Sequence, residues 1–132
     1  TTPQDIALSD VRKGADMFKK VNTPVLGVIE NMSGLFLSGN TNNPSSKIHI
    51  NNEELEIDVN GDFNINIDIF KKDGGQKESE RLGVPLLGKI PLSKEIMNAT
   101  DSGIPIVVSD SNQKTGEVYF SLADKVSKIV KL

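Results

Sequence analysis

The sequence predicts an α/β fold carrying an antiparallel β insertion, and three observations predict it. Two apolar runs, at residues 24–29 and 85–90, share one grammar: proline, an apolar pair, glycine, strand end. Both runs are continuous rather than alternating, as expected of strands covered on both faces. Stretches near the two ends of the chain repeat apolar residues at helical spacing, whereas residues 47–70 alternate apolar and polar side chains as a half-buried strand does.

The elements follow in order. Thr2-Pro3-Gln4-Asp5 opens a helix, with Thr2 as cap and Pro3 at the first helical position. Ala7, Val11, Gly14, Ala15 and Phe18 form its apolar stripe, and Asn22-Thr23 ends it. Arg12, Lys13, Lys19 and Lys20 read as a solvated face. The first buried strand, at 24–29, stops on the polar group Glu30-Asn31-Met32-Ser33-Gly34. Residues 38–46 are Asn, Ser, Thr, Gly and Pro, a loop by composition. Leu55, Ile57 and Val59 alternate with acidic residues, and Phe63, Ile65, Ile67 and Ile69 with Asn and Asp. Asn60-Gly61 between these runs is a strong hairpin signal. Asp73-Gly74-Gly75 starts a helix at 76–82. The second buried strand follows at 85–90, and its glycine, like that of the first, lets a helix approach the sheet. Ile104-Pro105-Ile106-Val107-Val108 is a third strand candidate. A last helix runs over 115–132, with Val118, Leu122, Val126, Ile129 and Val130 as its buried stripe, flanked by Tyr119 and Ala123.

Composition excludes several functions. The 132 residues suit one domain of ordinary size. A net charge of −3 with mixed signs gives no nucleic-acid footprint. With no Cys there are no disulfides, thiolate metal sites or thiol nucleophiles, and with His49 the only His no Cys/His zinc site can be built. No apolar run approaches the roughly 20 residues that span a bilayer, and no signal peptide is visible. A cytosolic or organelle-matrix location is therefore the expectation. Beginning at Thr1 rather than Met points to a fragment or a processed product.

The stop at Asn31 gives the chain a functional address. In open α/β sheets ligands bind outside the carboxyl ends of strands. An Asn there offers both a donor and an acceptor, the chemistry that reads a purine edge, although Asn also simply starts turns. Gly83-Val84-Pro85-Leu86-Leu87-Gly88-Lys89 matches a phosphate loop by letter and is rejected: Ile90 follows instead of Ser or Thr, and the intervening residues form a strand. The acidic residues Glu56, Asp58, Asp62 and Asp68 read as a solvated face rather than a cation site. No catalytic Ser/His/Asp set or acid pair stands out. Asn31-Met32-Ser33 and Asn98-Ala99-Thr100 match the glycosylation pattern, which means little without secretion.

Several motifs carry more than their spacing. Thr1-Thr2-Pro3-Gln4-Asp5-Ile6-Ala7-Leu8, Lys13-Gly14, Met17-Phe18, Pro24-Val25-Leu26-Gly27 and Glu30-Asn31-Met32-Ser33 come first. Ile69-Phe70, Gly74-Gly75, Leu82-Gly83-Val84-Pro85-Leu86-Leu87-Gly88, Ile90-Pro91-Leu92 and Asp101-Ser102-Gly103-Ile104-Pro105 follow. In this order they resemble the second half of Mrp/ApbC-type proteins, deviant-Walker P-loop ATPases related to MinD and ParA that act as iron–sulfur cluster carriers or scaffolds. The resemblance covers most of the chain outside 34–68.

It implies part of a doubly wound, mostly parallel, P-loop NTPase-like sheet. Residues 1–132 would be the C-terminal part of that domain, with 38–68 a polar loop and β-hairpin insertion within it. It also implies a homodimer binding ATP, with iron–sulfur recipient or scaffold proteins as partners. By it Asn31 would contact the adenine base, Pro91 and Leu92 would lie in the loop lining its other side, and Thr2, Pro3 and Gln4 would follow the strand nearest the catalytic centre. Two departures stand out. The phosphate loop and the magnesium-binding Asp of the family lie upstream of this half, so the chain alone would not hydrolyse ATP. The Cys-x-x-Cys that usually follows Asn-Met-Ser is replaced by Gly34-Leu35-Phe36-Leu37, so a thiolate-held [4Fe–4S] cluster is not expected on this chain. The alternative is a non-catalytic interaction module, or part of a MinD/ParA-like positioning ATPase, docking through the insertion. Half a doubly wound sheet would also leave a central strand edge open to association.

Overall fold

The computed structural model describes residues 1–50, 53–108 and 113–131. Its elements are α1 (Asp5–Lys20), β1 (Val28–Asn40), β2 (Lys47–Ile50), β3 (Glu53–Glu56), β4 (Asp62–Ile67), α2 (Gly74–Leu82), β5 (Leu86–Leu92), α3 (Lys94–Ser102) and α4 (Gln113–Val130). β4, β1 and β5 form one sheet in that order, with β1 parallel to β5 and antiparallel to β4. β2 and β3 pair separately as an antiparallel hairpin. The architecture is an α/β layer structure with an added hairpin, as the sequence predicts.

Helices cover both faces of the parallel part. Gly88 lies under Leu122 of α4, where an added Cβ would come within 2.8 Å of the Leu122 side chain. Its neighbour Lys89 points to the other face, toward Glu30 and the start of α2. A core cluster joins Leu87, Ile90 and Leu122, with Ile29, Ile96, Val118, Tyr119 and Val126 packed around them. The glycine of the first strand serves another end: a Cβ at Gly27 would meet Leu87 and the Pro85 carbonyl of the adjacent strand, not a helix. α1 packs on α2, burying Leu8 and Ala15 while Phe18 stays 45% exposed. The stripe therefore centres on Leu8 rather than on Phe18.

Several expectations are corrected. Thr2 caps nothing. α1 starts at Asp5 behind Gln4 with no side-chain cap, and Thr1 is held along β1: its nitrogen donates to the Ile29 carbonyl (2.9 Å), and Asn31 N–H donates to its carbonyl (2.7 Å). The first strand does not end near Asn31. Met32 and Gly34 adopt positive φ (58° and 83°), a bulge that bends β1 without ending it, and the strand resumes with β4 as partner. Asn60-Gly61 does not join the runs on either side into a hairpin. β3 pairs back onto β2, β4 pairs with β1 through Leu35↔Ile67 and Leu37↔Ile65, and the Gly61 N–H closes a turn onto the Asp58 carbonyl. Residues 104–108 form a turn, not a third strand: Pro105 lacks an N–H for a ladder, and Val108 N–H donates to its carbonyl. The last helix starts at Gln113, two residues earlier than expected, and its Ile129 and Val130 are exposed. Leu132 lies outside the described residues.

Candidate functional site

The site lies where the parallel pair β1–β5 opens. Asn31 is opposite Ile90, and the next paired residues are Leu35 and Leu92. Met32, Ser33 and Gly34 thus stand opposite Pro91 alone, which has no N–H to give the ladder. Pro91 and Leu92 are the last residues of β5 rather than part of a loop. Strand alternation places Leu92 on the α4 side with Ile90, and Pro91 on the α2 side with Lys89. Asn31 is exposed. Its Oδ1 accepts from the Met32 N–H at 2.9 Å, which fixes the sense of the amide. Its Nδ2 remains a donor pointing to no partner among the described residues.

Behind Asn31 sits a group that spacing did not reveal. Glu30 is 1% exposed. One carboxylate oxygen accepts from the Gly75 N–H (2.5 Å), the other from the Ser33 hydroxyl (2.7 Å), and Lys89 Nζ lies 3.7 Å from the latter. Gly75 thus presents its amide at the N-terminus of α2, and the anion held there is a side chain of the same chain. Lys89 also donates to Asp73 at 2.9 Å. That bond holds the Asp73 carboxyl below, and the Lys89 ammonium above, its usual range. The available signal was a charged residue at the end of an apolar run.

Beside this network a cleft of about 570 Å³ is lined by Ser33, Phe36, Asn66, Lys71, Lys89 and Pro91 among others. Its lysines are neutralised: Lys71 pairs with Asp5, Lys72 with Asp68 (2.6 Å), and Lys89 with Asp73. A second buried carboxylate, Glu78, anchors α2 to α1. It accepts from Arg12 Nε (3.0 Å) and from Arg81 Nε and Nη2 (2.9 and 2.6 Å), while Arg81 Nη1 reaches Asp16. Arg12 is thus a structural partner, not part of a solvated face.

The rejected phosphate loop is a helix end and a strand: Gly83 caps α2 and residues 86–89 lie in β5. Asp58 and Asp62 serve their own turn: Asp58 accepts from the N–H groups of Asn60 and Asp62, and Asp62 accepts from Asn40 Nδ2. Among the described residues no group of three His, Cys, Asp or Glu side chains could hold a metal, and no helix is long and apolar enough to cross a membrane.

Residues 1–67 and 52–127 match the family model described as ParA: NUBPL iron-transfer P-loop NTPase. The chain belongs to this ParA-type family of P-loop NTPases. It is 35% identical over 131 residues to the Arabidopsis thaliana iron-sulfur protein required for NADH dehydrogenase, mitochondrial, covering 99% of this chain and 34% of that protein. It is 37% identical over 123 residues to the iron-sulfur cluster carrier protein of Pseudomonas fragi, covering 93% and 35%. It is 36% identical over 131 residues to the mouse iron-sulfur cluster transfer protein NUBPL, covering 99% and 34%. The chain therefore spans about a third of the length of these relatives. The crystal structure of the Pyrococcus furiosus cell division ATPase MinD superposes with a TM-score of 0.62 at 22% identity, covering 98% of this chain and 40% of that one, a likeness of fold. For a ParA-type chain the parallel pair and its two-sided helices are accounted for, and the hairpin β2–β3 is the addition. With no Cys, this segment offers a cluster no thiolate.

Proposed function

We propose that this chain is the adenine-binding, C-terminal part of an Mrp-like ATPase that carries or transfers iron–sulfur clusters. The observation that carries the proposal is Asn31 at the opening of the β1–β5 pair, its amide oriented by Met32 and its Nδ2 outward. Nδ2 would donate to a ring nitrogen of adenine, and the remaining lone pair of Oδ1 would accept from the exocyclic amine. Leu92, 37% exposed on the side of Ile90, offers apolar surface to the base, and Pro91 keeps the strands apart. Both fit a base and neither supplies phosphate chemistry. ATP brings the energy-yielding phosphoanhydride. The groups that hold its phosphates and magnesium belong to polypeptide outside residues 1–132, since the one phosphate-loop-like stretch here is β5. The cluster is cargo, held by ligands other than this segment's. The names of the relatives, iron-sulfur cluster carrier and cluster transfer proteins, support the cluster-handling part of this reading; homodimerisation and contact with iron–sulfur recipient or scaffold proteins are proposed with it.

The test is nucleotide affinity of the full-length protein that contains this chain, carrying Asn31→Ala. Losing these hydrogen bonds predicts weakening by about 3-fold to 10-fold. Unchanged ATP affinity would remove the adenine assignment.

A further inference from the structure

Asn31 is only as useful as its orientation, and its Oδ1 is held by the Met32 N–H at 2.9 Å. Met32 sits at φ 58° without being glycine, a conformation that costs on the order of 1–2 kcal/mol and persists only where the surroundings impose it. Asn31 and Met32 lie inside a loop closed by side chains: Glu30, one residue before Asn31, accepts from the hydroxyl of Ser33, one residue after Met32. The other oxygen of Glu30 is anchored on the Gly75 amide of α2. The anchor is built for this contact. A Cβ on Gly75 would lie 2.8 Å from Glu30 Cβ and 3.0 Å from its Oε2, so a side chain there would push the carboxylate away. A carboxylate that is 1% exposed is expensive to bury. Here an N–H at a helix N-terminus, a hydroxyl and a nearby ammonium compensate it, and none of these contacts is needed to form the strand itself.

We propose that Glu30, acting through Ser33 and the Gly75 amide, is the positioning residue that sets the direction of the Asn31 amide and thereby the discrimination between nucleotide bases. The inference rests on the adenine reading above. Adenine presents an amine where guanine presents a carbonyl, so an Asn held in one sense prefers adenine, and an Asn free to turn loses that preference.

The experiment measures dissociation constants of the full-length protein that contains residues 1–132 for ATP, GTP and inorganic tripolyphosphate. Four variants are compared with the wild type: Asn31→Ala, Glu30→Ala, Glu30→Gln and Ser33→Ala. Asn31→Ala and Glu30→Ala should each reduce the ATP/GTP preference by about 5-fold to 10-fold and leave tripolyphosphate binding unchanged. Glu30→Gln, which can still accept from Gly75 and donate to Ser33, should keep the preference within about 2-fold. Ser33→Ala removes one link and should fall between, at about 2-fold to 3-fold. It also decides the matter if Glu30→Ala does not fold. If Asn31→Ala leaves the preference intact, the adenine reading itself fails. If Asn31→Ala lowers it and neither Glu30→Ala nor Ser33→Ala does, Glu30 does not position Asn31. Equal weakening of ATP, GTP and tripolyphosphate by Glu30→Ala would make its role maintenance of the fold and overturn the inference.

Discussion

Replacing Glu78 by Gln tests how α2 is held. The side chain is fully buried, and both oxygens are occupied by Arg12 Nε at 3.0 Å and by Arg81 Nε and Nη2 at 2.9 and 2.6 Å. Gln preserves the volume but turns one acceptor into an amine facing guanidinium donors. Removing one partner of a buried pair costs about 3–5 kcal/mol. The arginine side chains are 50% and 36% exposed and can rehydrate, so about 2–3 kcal/mol is the reasoned loss. The pH dependence has a fixed sign. Burial alone would raise the Glu78 pKa, but hydrogen bonds from Arg81 and Arg12 outweigh it and leave the carboxyl below its ordinary 4.5. A depressed folded pKa adds stability above the unfolded value and gives it up as pH falls through the folded one. The difference between wild type and Glu78→Gln should therefore be full at pH 7, hold to about pH 5, and shrink below 4.5. Urea unfolding of the full chain followed by circular dichroism, at a series of pH values, measures it. A difference under about 0.5 kcal/mol at pH 7, the size of an ordinary surface substitution, would refute the reasoning. So would a difference that does not narrow in acid.

Two further predictions concern neighbouring contacts. Gly75→Ala places a methyl 2.8 Å from Glu30 Cβ. It should destabilise by about 1–3 kcal/mol in the same unfolding assay, because a strand residue cannot retreat as a flexible side-chain tip can. Ser93→Ala removes the Oγ that accepts from Ile96 N–H at 3.1 Å. α3 has no fully buried residue to hold it, so the loss, about 1 kcal/mol, should appear as faster hydrogen exchange of the Ile96 and Met97 amides.

What was legible in the sequence was local. Leu87 and Ile90 of β5, and Val118, Leu122 and Val126 of α4, announce themselves by period, and these are the residues that meet in the core. Asn31 was legible as a polar stop in an apolar run, and the strand pair does open there. What could not be read depends on distant partners. Leu35 finds Ile67 only because a bulge at Met32–Gly34 lets β1 continue. The same alternating run 63–69 would have suited a hairpin across Asn60-Gly61 equally well, and the tertiary partner β1 decided between them. Residues 104–108 have the β-branched composition of a strand, and Pro105 prevents the ladder. Glu30–Gly75 and Arg12–Glu78 join residues 45 and 66 apart. No periodicity encodes such pairs. A carboxylate ending a buried strand and a glycine pair opening a helix become informative only together.

The two buried carboxylates explain an otherwise odd element. α2 buries Gly74, Gly75, Glu78 and Ser79, with no large apolar side chain among its buried residues. Its position is therefore set by charge and close backbone approach more than by apolar area. Glu30 pins its N-terminus to β1, Lys89 pins Asp73 to β5, and Glu78 ties its middle to α1 through Arg12. Apolar packing tolerates sliding by a fraction of a turn, whereas a hydrogen bond to a buried carboxylate is directional, and a displaced donor leaves Glu30 or Glu78 buried without its partner. A helix fixed in this way holds one register. That register places the Gly75 amide against Glu30, one residue from Asn31. In the proposed role of Glu30, the polar interior of α2, at first sight a cost to stability, is what supplies the directional constraint that an exposed Asn beside a bulge cannot supply for itself.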